Sequence, residues 1–288
     1  MGRWLVTGTT GQLGGAVADL SQDLDFDIFC PTRAAMDLSD PDAIRASMAA
    51  QDLDGVINCA AYTAVDKAES DAEIAHAVNA TAPAILAEEC TRRSIPIIHV
   101  STDYVFDGTK QAPYDEDDPV NPLGIYGVTK LAGENAIRAS GAQHAIVRTA
   151  WLLDPKGRNF LTTMLRLGGE RDELQIVSDQ IGNPTSVADL AQAVLMIAQQ
   201  LRDKSGTWHF VNKDEASWFE LAAYIFKQAE KFGVRAPQLT PIPTTSYPTP
   251  ARRPANSRLA THKIKRDFGI EAQSWQHAVD SILAEHFR

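Results

Sequence analysis

The stretch Trp4-Leu5-Val6-Thr7-Gly8-Thr9-Thr10-Gly11-Gln12-Leu13-Gly14 decides the fold of this chain. A short apolar run leads into three glycines spaced G-x-x-G-x-x-G, and a helical pattern follows them to residue 20. A pyrophosphate can rest on a helix N-terminus only where the backbone comes close, and a Cβ would prevent that approach. The pattern predicts a nucleotide site on this turn; a tight turn without a ligand is the alternative. The residues expected to bind the cofactor here are Gly8, Thr10, Gly11, Gln12, Leu13 and Gly14.

Strand and helix patterns alternate through the first half of the chain. Strands are predicted at residues 3–7, 26–30, 56–58, 96–101 and 145–148, and helices at 11–20, 40–50, 81–93 and 124–139. Such alternation is typical of a parallel sheet with helices on both faces. We therefore predict an α/β fold: a doubly wound, Rossmann-like parallel sheet with a smaller C-terminal substrate lobe.

The second half is less regular and is expected to supply the smaller lobe. Helices are predicted at 160–168, 187–202 and 218–232, strands at 174–177 and 208–211, and two short helical patterns within 259–287. Residues 236–255 are rich in proline yet partly apolar, so we interpret them as an ordered loop that covers a site. We assign residues 1–150 plus about 174–230 to the nucleotide-binding lobe, and about 151–173 plus 231–288 to the substrate lobe.

Composition narrows the classes of partner. The chain has 288 residues and a formal net charge of -10, which argues against nucleic acid or an anionic membrane as the main partner. Cys30, Cys59 and Cys90 are interpreted as reduced core residues of a cytoplasmic protein, and no basic and apolar leader begins the chain. The histidines show no metal-ligand spacing, and His99 is expected to be a packed core residue. The acidic run at residues 115–118 is expected to be a solvated loop, so no metal site is predicted.

The end of the second strand bears on the choice of cofactor. An acidic side chain at this place binds the ribose 2′-hydroxyl of NAD, whereas a basic one suits the 2′-phosphate of NADP. Here Arg33 follows Thr32, and no carboxylate appears before Asp37. NADPH is therefore favoured, with NADH possible and a solvated surface arginine as the alternative. Asp37 and Leu38 are placed along the adenine edge.

A tyrosine and a lysine occupy one face of the fourth predicted helix. Tyr126 and Lys130 are four residues apart, so both side chains point the same way. An ammonium lowers the pKa of a nearby phenol, which would let Tyr126 protonate a carbonyl oxygen as hydride reaches the carbon. Thr102 follows an apolar strand, at the sheet edge where ligands bind in open α/β folds. The tyrosine–lysine pair alone also fits an amphipathic surface helix; the glycine turn and Thr102 favour catalysis.

Several longer segments carry a resemblance to a known family. They are residues 58–69, 101–108, 126–134, 148–151 and 247–257, which read NCAAYTAVDKAE, STDYVFDG, YGVTKLAGE, RTAW and YPTPARRPANS. With these segments the chain resembles the extended short-chain dehydrogenase/reductase superfamily over nearly its whole length. The last two segments are similar to the branch that reduces nucleotide-linked 4-keto-deoxysugars.

The resemblance implies a reaction and roles for individual residues. The reaction is reduction of the 4-keto group of dTDP-6-deoxy-L-lyxo-4-hexulose by NADPH or NADH, which yields dTDP-L-rhamnose. Thr102, Tyr126 and Lys130 match the catalytic residues, and Tyr126 and Lys130 also face the cofactor. Further cofactor contacts are implied for Ala60, Ala61, Tyr62, Asn79 and Ser101. Substrate contacts are implied for Val65, Thr102, Asp103, Tyr104, Tyr126, Trp151 and Arg253, the last as a possible diphosphate clamp.

One departure from the family pattern concerns assembly. Some members carry a glutamate soon after the third glycine that helps form a magnesium-linked dimer. This chain has Gly15-Ala16-Val17 there, and Ala188 stands where another acid is expected. Mg²⁺ is therefore doubtful, and a monomer or a dimer without a metal bridge is expected.

Two other functions remain open at this point. The first is a non-catalytic regulatory subunit resembling the beta subunit of methionine adenosyltransferase, which has a similar fold and keeps the nucleotide site. The second is a nucleotide-sugar epimerase that retains bound NAD. A partner enzyme whose activity changes, or a cofactor that stays bound without net oxidation, would favour one of these.

Overall fold

A computed structural model describes residues 2–23 and 26–288; Met1, Leu24 and Asp25, which fall within the predicted larger lobe, lie outside the described residues. The central sheet has six parallel strands in the order β10-β5-β4-β3-β1-β2. Their bounds are β1 Trp4–Thr7, β2 Ile28–Phe29, β3 Gly55–Asn58, β4 Ile97–Thr102, β5 His144–Thr149 and β10 Gly206–His209. The predicted doubly wound α/β fold is confirmed.

Helices cover both faces of this sheet. The helices of the first half are α1 Gln12–Asp23, α2 Pro41–Ala49, α3 Val65–Ala68, α4 Ala72–His76, α5 Ala82–Arg93 and α6 Ile125–Ala139. Those of the second half are α7 Phe160–Glu170, α8 Val187–Gln200, α9 Trp218–Ala229, α10 His262–Phe268 and α11 Trp275–His286. Successive strand residues alternate between two cores: Val6, Ile57, Ile98 and Val147 pack with α1 and α8, and Leu5, Val56, Ile97 and Ile146 pack with α2 and α5.

The strand order reverses beside β1. After β1 the chain forms β2 on one side, and β3 then starts a run on the other side that continues through β4, β5 and β10. In open α/β sheets a ligand binds in the crevice outside the carboxyl ends of the strands at such a switch point. The glycine turn after β1 and the residues after β3 and β4 therefore lie at one edge of the sheet.

A helix of the first half starts earlier than predicted. The predicted helix 81–93 is preceded by α4 and by a π-helical turn at Ala77–Thr81 that joins α4 to α5. A π turn adds a residue to the helix and is frequent at functional sites. The predicted strand 26–30 is also shorter than expected, since only Ile28–Phe29 pair with β1.

The remaining strands lie outside the central sheet and form small sheets of two or three strands. The strands are β6 Leu152–Leu153, β7 Glu173–Val177, β8 Ile181–Gly182, β9 Thr185–Ser186, β11 Ala216–Ser217, β12 Gln238–Ile242 and β13 Asn256–Ser257. The expectation of a loop at 236–255 is wrong for its first part, because β12 pairs in parallel with β7 over five residues. Neither strand shows this pairing in its own sequence, because the partner lies more than sixty residues away.

Contacts suggest where one lobe ends and the other begins. Helix α8 packs on α1 and β10 joins the central sheet, as predicted for residues within 174–230. Strand β7 pairs with β12, however, and α9 packs on α7 and α11. We therefore propose that β7 and α9 belong to the smaller lobe, whereas α8 and β10 belong to the larger one.

Candidate active site

Helix α6, which carries Tyr126 and Lys130, is anchored at its first turn. The Ile125 amide donates a hydrogen bond of 2.8 Å to the Glu69 carboxylate, which satisfies one of the unpaired N–H groups at the helix start. Gly127 packs on the chain that leaves β4: a Cβ there would lie 2.2 Å from the Tyr104 carbonyl oxygen. The absence of a side chain at Gly127 thus lets α6 approach the end of β4 closely.

Tyr126 is partly buried and lies in an aromatic contact. Its ring meets that of Tyr104 edge to face, with centroids 5.4 Å apart. Burial raises the pKa of Tyr126 to about 12, against a lowering by the Thr102 hydroxyl and a further rise from the Asp103 charge. The lowering of this pKa by Lys130 that the sequence predicted is not seen: the lowering comes from Thr102, and burial outweighs it. The neutral phenol is the form that can donate a proton.

Lys130 is almost completely buried, with 1% of its surface exposed. Its Nζ donates to the Val100 carbonyl at 2.7 Å and lies 3.2 Å from His99 Nε2. Burial lowers the pKa of Lys130 to about 8, while the charge of Glu134 acts in the opposite direction. The amine is therefore held in one place and can change its charge near neutral pH.

Thr102 and Asp103 form a pair where β4 ends. Thr102 Oγ1 donates to Asp103 Oδ1 at 3.0 Å and accepts from the Tyr104 amide at 3.2 Å. Both side chains are buried, and burial raises the pKa of Asp103 to about 6. The Thr102 hydroxyl also lowers the pKa of Tyr126 through a hydrogen bond. The structure therefore brings together the hydroxyl and the phenol that the sequence predicted to act together.

The glycine turn packs closely on neighbouring backbone. Gly8 has a φ of 72°, and a Cβ on it would lie 2.8 Å from the backbone of Ala60. A Cβ on Gly14 would lie 2.3 Å from the Gly8 carbonyl oxygen. The first turn of α1 contains no acidic side chain that would repel an anion. Thr10 and Gly11 are exposed on this turn, and Gln12 and Leu13 begin the helix.

The π turn positions Asn79 between two segments of the site. Asn79 Oδ1 accepts from the Tyr62 amide at 2.8 Å, and its Nδ2 donates to the Tyr62 carbonyl and to Thr129 Oγ1 at 3.2 Å each. A Cβ on Gly133 would lie 2.2 Å from the Asn79 carbonyl oxygen, so α6 packs closely on the π turn. Asn79 therefore fixes the chain after β3, where Ala60, Ala61 and Tyr62 lie, relative to the catalytic helix.

The segment after β2 is the exposed end of the candidate dinucleotide groove. The side chain of Arg33 is 86% exposed, and its Nε lies 3.6 Å from the Asp37 carboxylate. Hydrogen bonds from the side chain and amide of Ser39 lower the pKa of Asp37, with the Arg33 charge a smaller cause. Leu38 is partly buried against the core below α2. A guanidinium at this place fits a 2′-phosphate.

Trp151 is held in a strained backbone conformation on the substrate side. It has a φ of 47°, which is uncommon for a residue other than glycine. Its ring stacks on Trp218 with centroids 3.4 Å apart, and a Cβ on Gly182 would lie 2.6 Å from it. Trp218 is tied in turn to Gln180 by a hydrogen bond of 3.1 Å. The indole is therefore clamped on both faces, in a fixed orientation.

Arg253 connects residues 236–255, the segment predicted to cover a site, to the first half of the chain. Its Nη2 lies 2.8 Å from the Asp66 carboxylate, and the Ala251 amide donates to the other oxygen at 3.2 Å. Val65, which begins α3, is the neighbour of Asp66. The Nη1 group of Arg253 is buried without a hydrogen-bond partner among the described residues. The Nη1 group of Arg253 can therefore donate a hydrogen bond to a diphosphate oxygen.

Two groups of acidic residues bear on the question of a metal site. Asp189, beside the alanine that replaces the expected acid, accepts hydrogen bonds from Asn212 and Gln273. In the described residues, only Asp115, Glu116 and His262 gather in a way that suits a cation. Lys110 lies 3.3 Å from Asp115, so its ammonium already supplies a positive charge there.

Membrane-spanning segments were sought in residues 2–23 and 26–288. No helix in these ranges is both long enough and apolar enough to cross a membrane.

Comparisons with known proteins identify the family of this chain. Residues 2–287 match the family model described as the RmlD substrate binding domain. The chain is 41% identical to dTDP-4-dehydrorhamnose reductase of Escherichia coli K12, over 98% of this chain and 97% of that protein. The chain belongs to the dTDP-4-dehydrorhamnose reductase family. It is therefore an enzyme, an oxidoreductase, as the sequence predicted.

Solved structures of the same reductase family have the same fold. The reductase of Clostridium acetobutylicum superposes with a TM-score of 0.93 at 36% identity and covers 98% of this chain and 99% of its own. The Bacillus anthracis reductase, solved in complex with NADP, has a TM-score of 0.91 at 33% identity and 99% coverage of both chains.

Four residues of the site were missed by reasoning from the sequence. Glu69 caps α6, Asp66 pairs with Arg253, Trp218 supports Trp151, and His99 lies beside Lys130. Glu69 and Asp66 fall in the segment that carried the family resemblance, which was a usable signal. Trp218 and His99 gave none, because each reads as an ordinary apolar position of a helix or a strand.

Proposed function

We propose that this reductase uses NADPH to reduce the 4-keto group of dTDP-6-deoxy-L-lyxo-4-hexulose, which yields dTDP-L-rhamnose. The observation that carries the proposal is the convergence of Thr102, Tyr126 and Lys130 at the carboxyl end of β4. NADPH, when bound, supplies the hydride. Arg33 and the glycine turn are suited to hold the dinucleotide, with NADH as a second possible donor. Asn79, implied as a cofactor contact by the resemblance, is buried and bonded to Tyr62 and Thr129, so it positions the chain after β3 instead.

In the proposed mechanism the residues of this chain handle the proton and the orientation of the sugar. Thr102 Oγ1 and the Tyr126 phenol hydrogen-bond the keto oxygen, and Tyr126 transfers its proton to that oxygen as it gains charge. Lys130 stabilises the phenolate that remains, because an adjacent ammonium favours the charged form. Trp151, Val65 and Tyr104 enclose the deoxysugar, and Arg253 pairs with the diphosphate.

The test is NADPH oxidation with the dTDP-4-keto sugar made in place from dTDP-glucose by the preceding enzymes. Tyr126→Phe keeps the ring and removes the proton, so turnover should fall by about a thousandfold. NADPH binding, followed by its fluorescence, should change little. Full turnover in this variant would refute the proton-donor role.

Two outcomes would lead to the other functions considered above. Absence of NADPH oxidation, with a partner enzyme responding to the chain, would support a regulatory subunit. NAD that stays bound through gel filtration, with sugar interconversion but no net oxidation, would support an epimerase. We also propose a cytoplasmic location, since all three cysteines are free thiols in the structure. Cys90 is buried, but Cys30 is exposed, so the expectation that it is a core residue is wrong.

A further inference from the structure

A chain of buried polar side chains links Lys130 to the first strand of the sheet. Lys130 Nζ lies 3.2 Å from His99 Nε2, and His99 Nδ1 lies 2.9 Å from the Asn58 amide nitrogen. Thr7 Oγ1 donates to Asn58 Oδ1 at 2.6 Å and accepts from the Ala60 amide at 3.2 Å. Each of the four side chains is at most 3% exposed. The chain crosses three neighbouring strands, β4, β3 and β1.

The donors and acceptors in this chain can be satisfied in two arrangements that run in opposite directions, of which a charged Lys130 permits only the first and a neutral Lys130 permits the second. A neutral histidine carries one N–H, and an ammonium can only donate. Rotating the Asn58 side-chain amide by 180° exchanges the positions of its oxygen and its nitrogen. If Lys130 is charged, His99 Nε2 accepts from it, Nδ1 carries the proton, and Asn58 presents its oxygen to that proton. If Lys130 is neutral, its lone pair accepts from Nε2–H, Nδ1 accepts from the amide nitrogen, and Thr7 donates to the amide oxygen. The second arrangement matches the Asn58 orientation in the structure.

His99 stays neutral in both arrangements. Burial lowers its pKa well below the ordinary histidine value, and the charges of Lys130 and Arg138 lower it further. The other charged or titratable groups around this pair are Glu134 on α6, which pairs with Arg148 of β5, and Cys59 after β3. Since none of these supplies a hydrogen bond to the imidazole among the described residues, the tautomer of His99 is set by its two partners.

We propose that His99 is a positioning residue for Lys130, and that Thr7, Asn58 and His99 form a relay whose hydrogen bonds reverse direction when Lys130 gains or loses its proton. The catalytic part of this inference rests on the proposed function; the relay itself does not. The relay ends at Thr7, which precedes Gly8, and at the Ala60 amide. It therefore connects the charge of Lys130 with the base of the glycine turn.

The direct test observes the imidazole nitrogens of the full-length protein. Histidine labelled with ¹⁵N reports the tautomer through its two-bond proton–nitrogen correlations, and loss of a signal in His99→Gln assigns His99. In the wild type we expect the protonated nitrogen to change from Nδ1 to Nε2 as pH rises through the Lys130 pKa of about 8. In Lys130→Met the tautomer should stay the same across that range. A wild-type tautomer that does not change, or a change that persists in Lys130→Met, would overturn the relay.

The kinetic test separates positioning from packing. His99→Leu removes the acceptor for the ammonium, so kcat should fall by about tenfold or more and the alkaline limb of its pH profile should move to lower pH. His99→Gln offers an amide oxygen to Lys130 and should restore much of kcat and most of the profile. The matched control is His209→Gln, because His209 is equally buried on β10 and packs on Phe106 instead.

The outcomes distinguish this inference from the proposed function. If both His99 variants keep the wild-type kcat and pH profile while Tyr126→Phe is inactive, positioning by His99 is wrong and the proposed function stands. If Tyr126→Phe is active, the proposed function fails, and the tautomer experiment still decides the relay. If His99→Leu does not fold, His99→Gln and the labelled wild type carry both tests.

Discussion

The two ends of the candidate dinucleotide groove differ in how their charges are held. At the catalytic end Lys130 is 1% exposed, and its amine contacts Val100 and His99. At the other end the side chain of Arg33 is 86% exposed and contacts only a partly exposed carboxylate, among the described residues. Burial shifts the pKa values of Lys130, Tyr126 and Asp103, and the charge of Asp103 adds to the shift at Tyr126. Water screens Arg33, which can therefore change with little effect on its surroundings.

Lys130→Met should have the largest effect in this comparison. It keeps the length of the side chain but removes the charge that supports Tyr126, so we expect kcat to fall by about a hundredfold or more. Lys156→Met, on a side chain that is 79% exposed, is the control and should keep the wild-type rate. Steady-state kinetics with NADPH would measure both. A loss of only a few-fold would mean that the buried ammonium is not needed for proton transfer.

Asp103→Asn should reveal the cost of burying a carboxyl group. The pKa of Asp103 is raised to about 6, so near pH 5 the folded protein holds a proton that the unfolded chain has released. The free energy of unfolding contributed by this group therefore falls as pH rises from about 4 to about 6, by at most about 3 kcal/mol. In urea unfolding, the stability of the variant relative to the wild type should rise across this window.

Asp107→Asn supplies the matched control for that experiment. Hydrogen bonds from Thr109 and Asn121 lower the pKa of Asp107, so its stabilising effect is lost only as pH falls below the ordinary aspartate range. The stability difference between this variant and the wild type should stay flat from about pH 4 to about pH 6. Equal slopes for the two variants would show that burial does not set the pKa of Asp103.

Arg33→Ala should have the smallest effect, and one confined to cofactor preference. Loss of a charge-assisted hydrogen bond to a 2′-phosphate should lower kcat/KM for NADPH by about tenfold and leave kcat/KM for NADH nearly unchanged. Arg166→Ala is the control, because that arginine is also exposed and also pairs with an acid one helical turn away. An equal loss with both cofactors would place Arg33 outside phosphate recognition.

The buried end of the groove, around Tyr126 and Lys130, was predicted from the sequence only in part. The spacing of Tyr126 and Lys130 and the strand before Thr102 indicated which residues meet. The environment of Tyr126 did not follow, because the pKa of a phenol depends on how deeply tertiary packing buries it. The role of His99 did not follow either, since a histidine among apolar strand residues has the same pattern whether or not its ring contacts a lysine.

Residues 236–255, the segment predicted to cover a site, were also predicted only in part from the sequence. Its proline content predicted an ordered loop that covers a site, and Arg253 was predicted to contact the substrate. Its first part forms β12, however, because β7 offers a free edge that only the folded lobe brings alongside. The partner of Arg253 is Asp66, which lies 187 residues away along the chain.

The sequence by itself determined the features that depend on near neighbours. Glycine spacing, helical periodicity and strand alternation are set by backbone sterics and local hydrogen bonds, so the turn after β1, the catalytic helix and the parallel sheet could all be predicted. Tertiary structure alone decided the contacts between distant segments: the stack of Trp151 on Trp218, the pair of Arg253 and Asp66, and the line from Lys130 to Thr7. These depend on which faces pack together and how far they exclude water, and no short stretch of the chain contains that information.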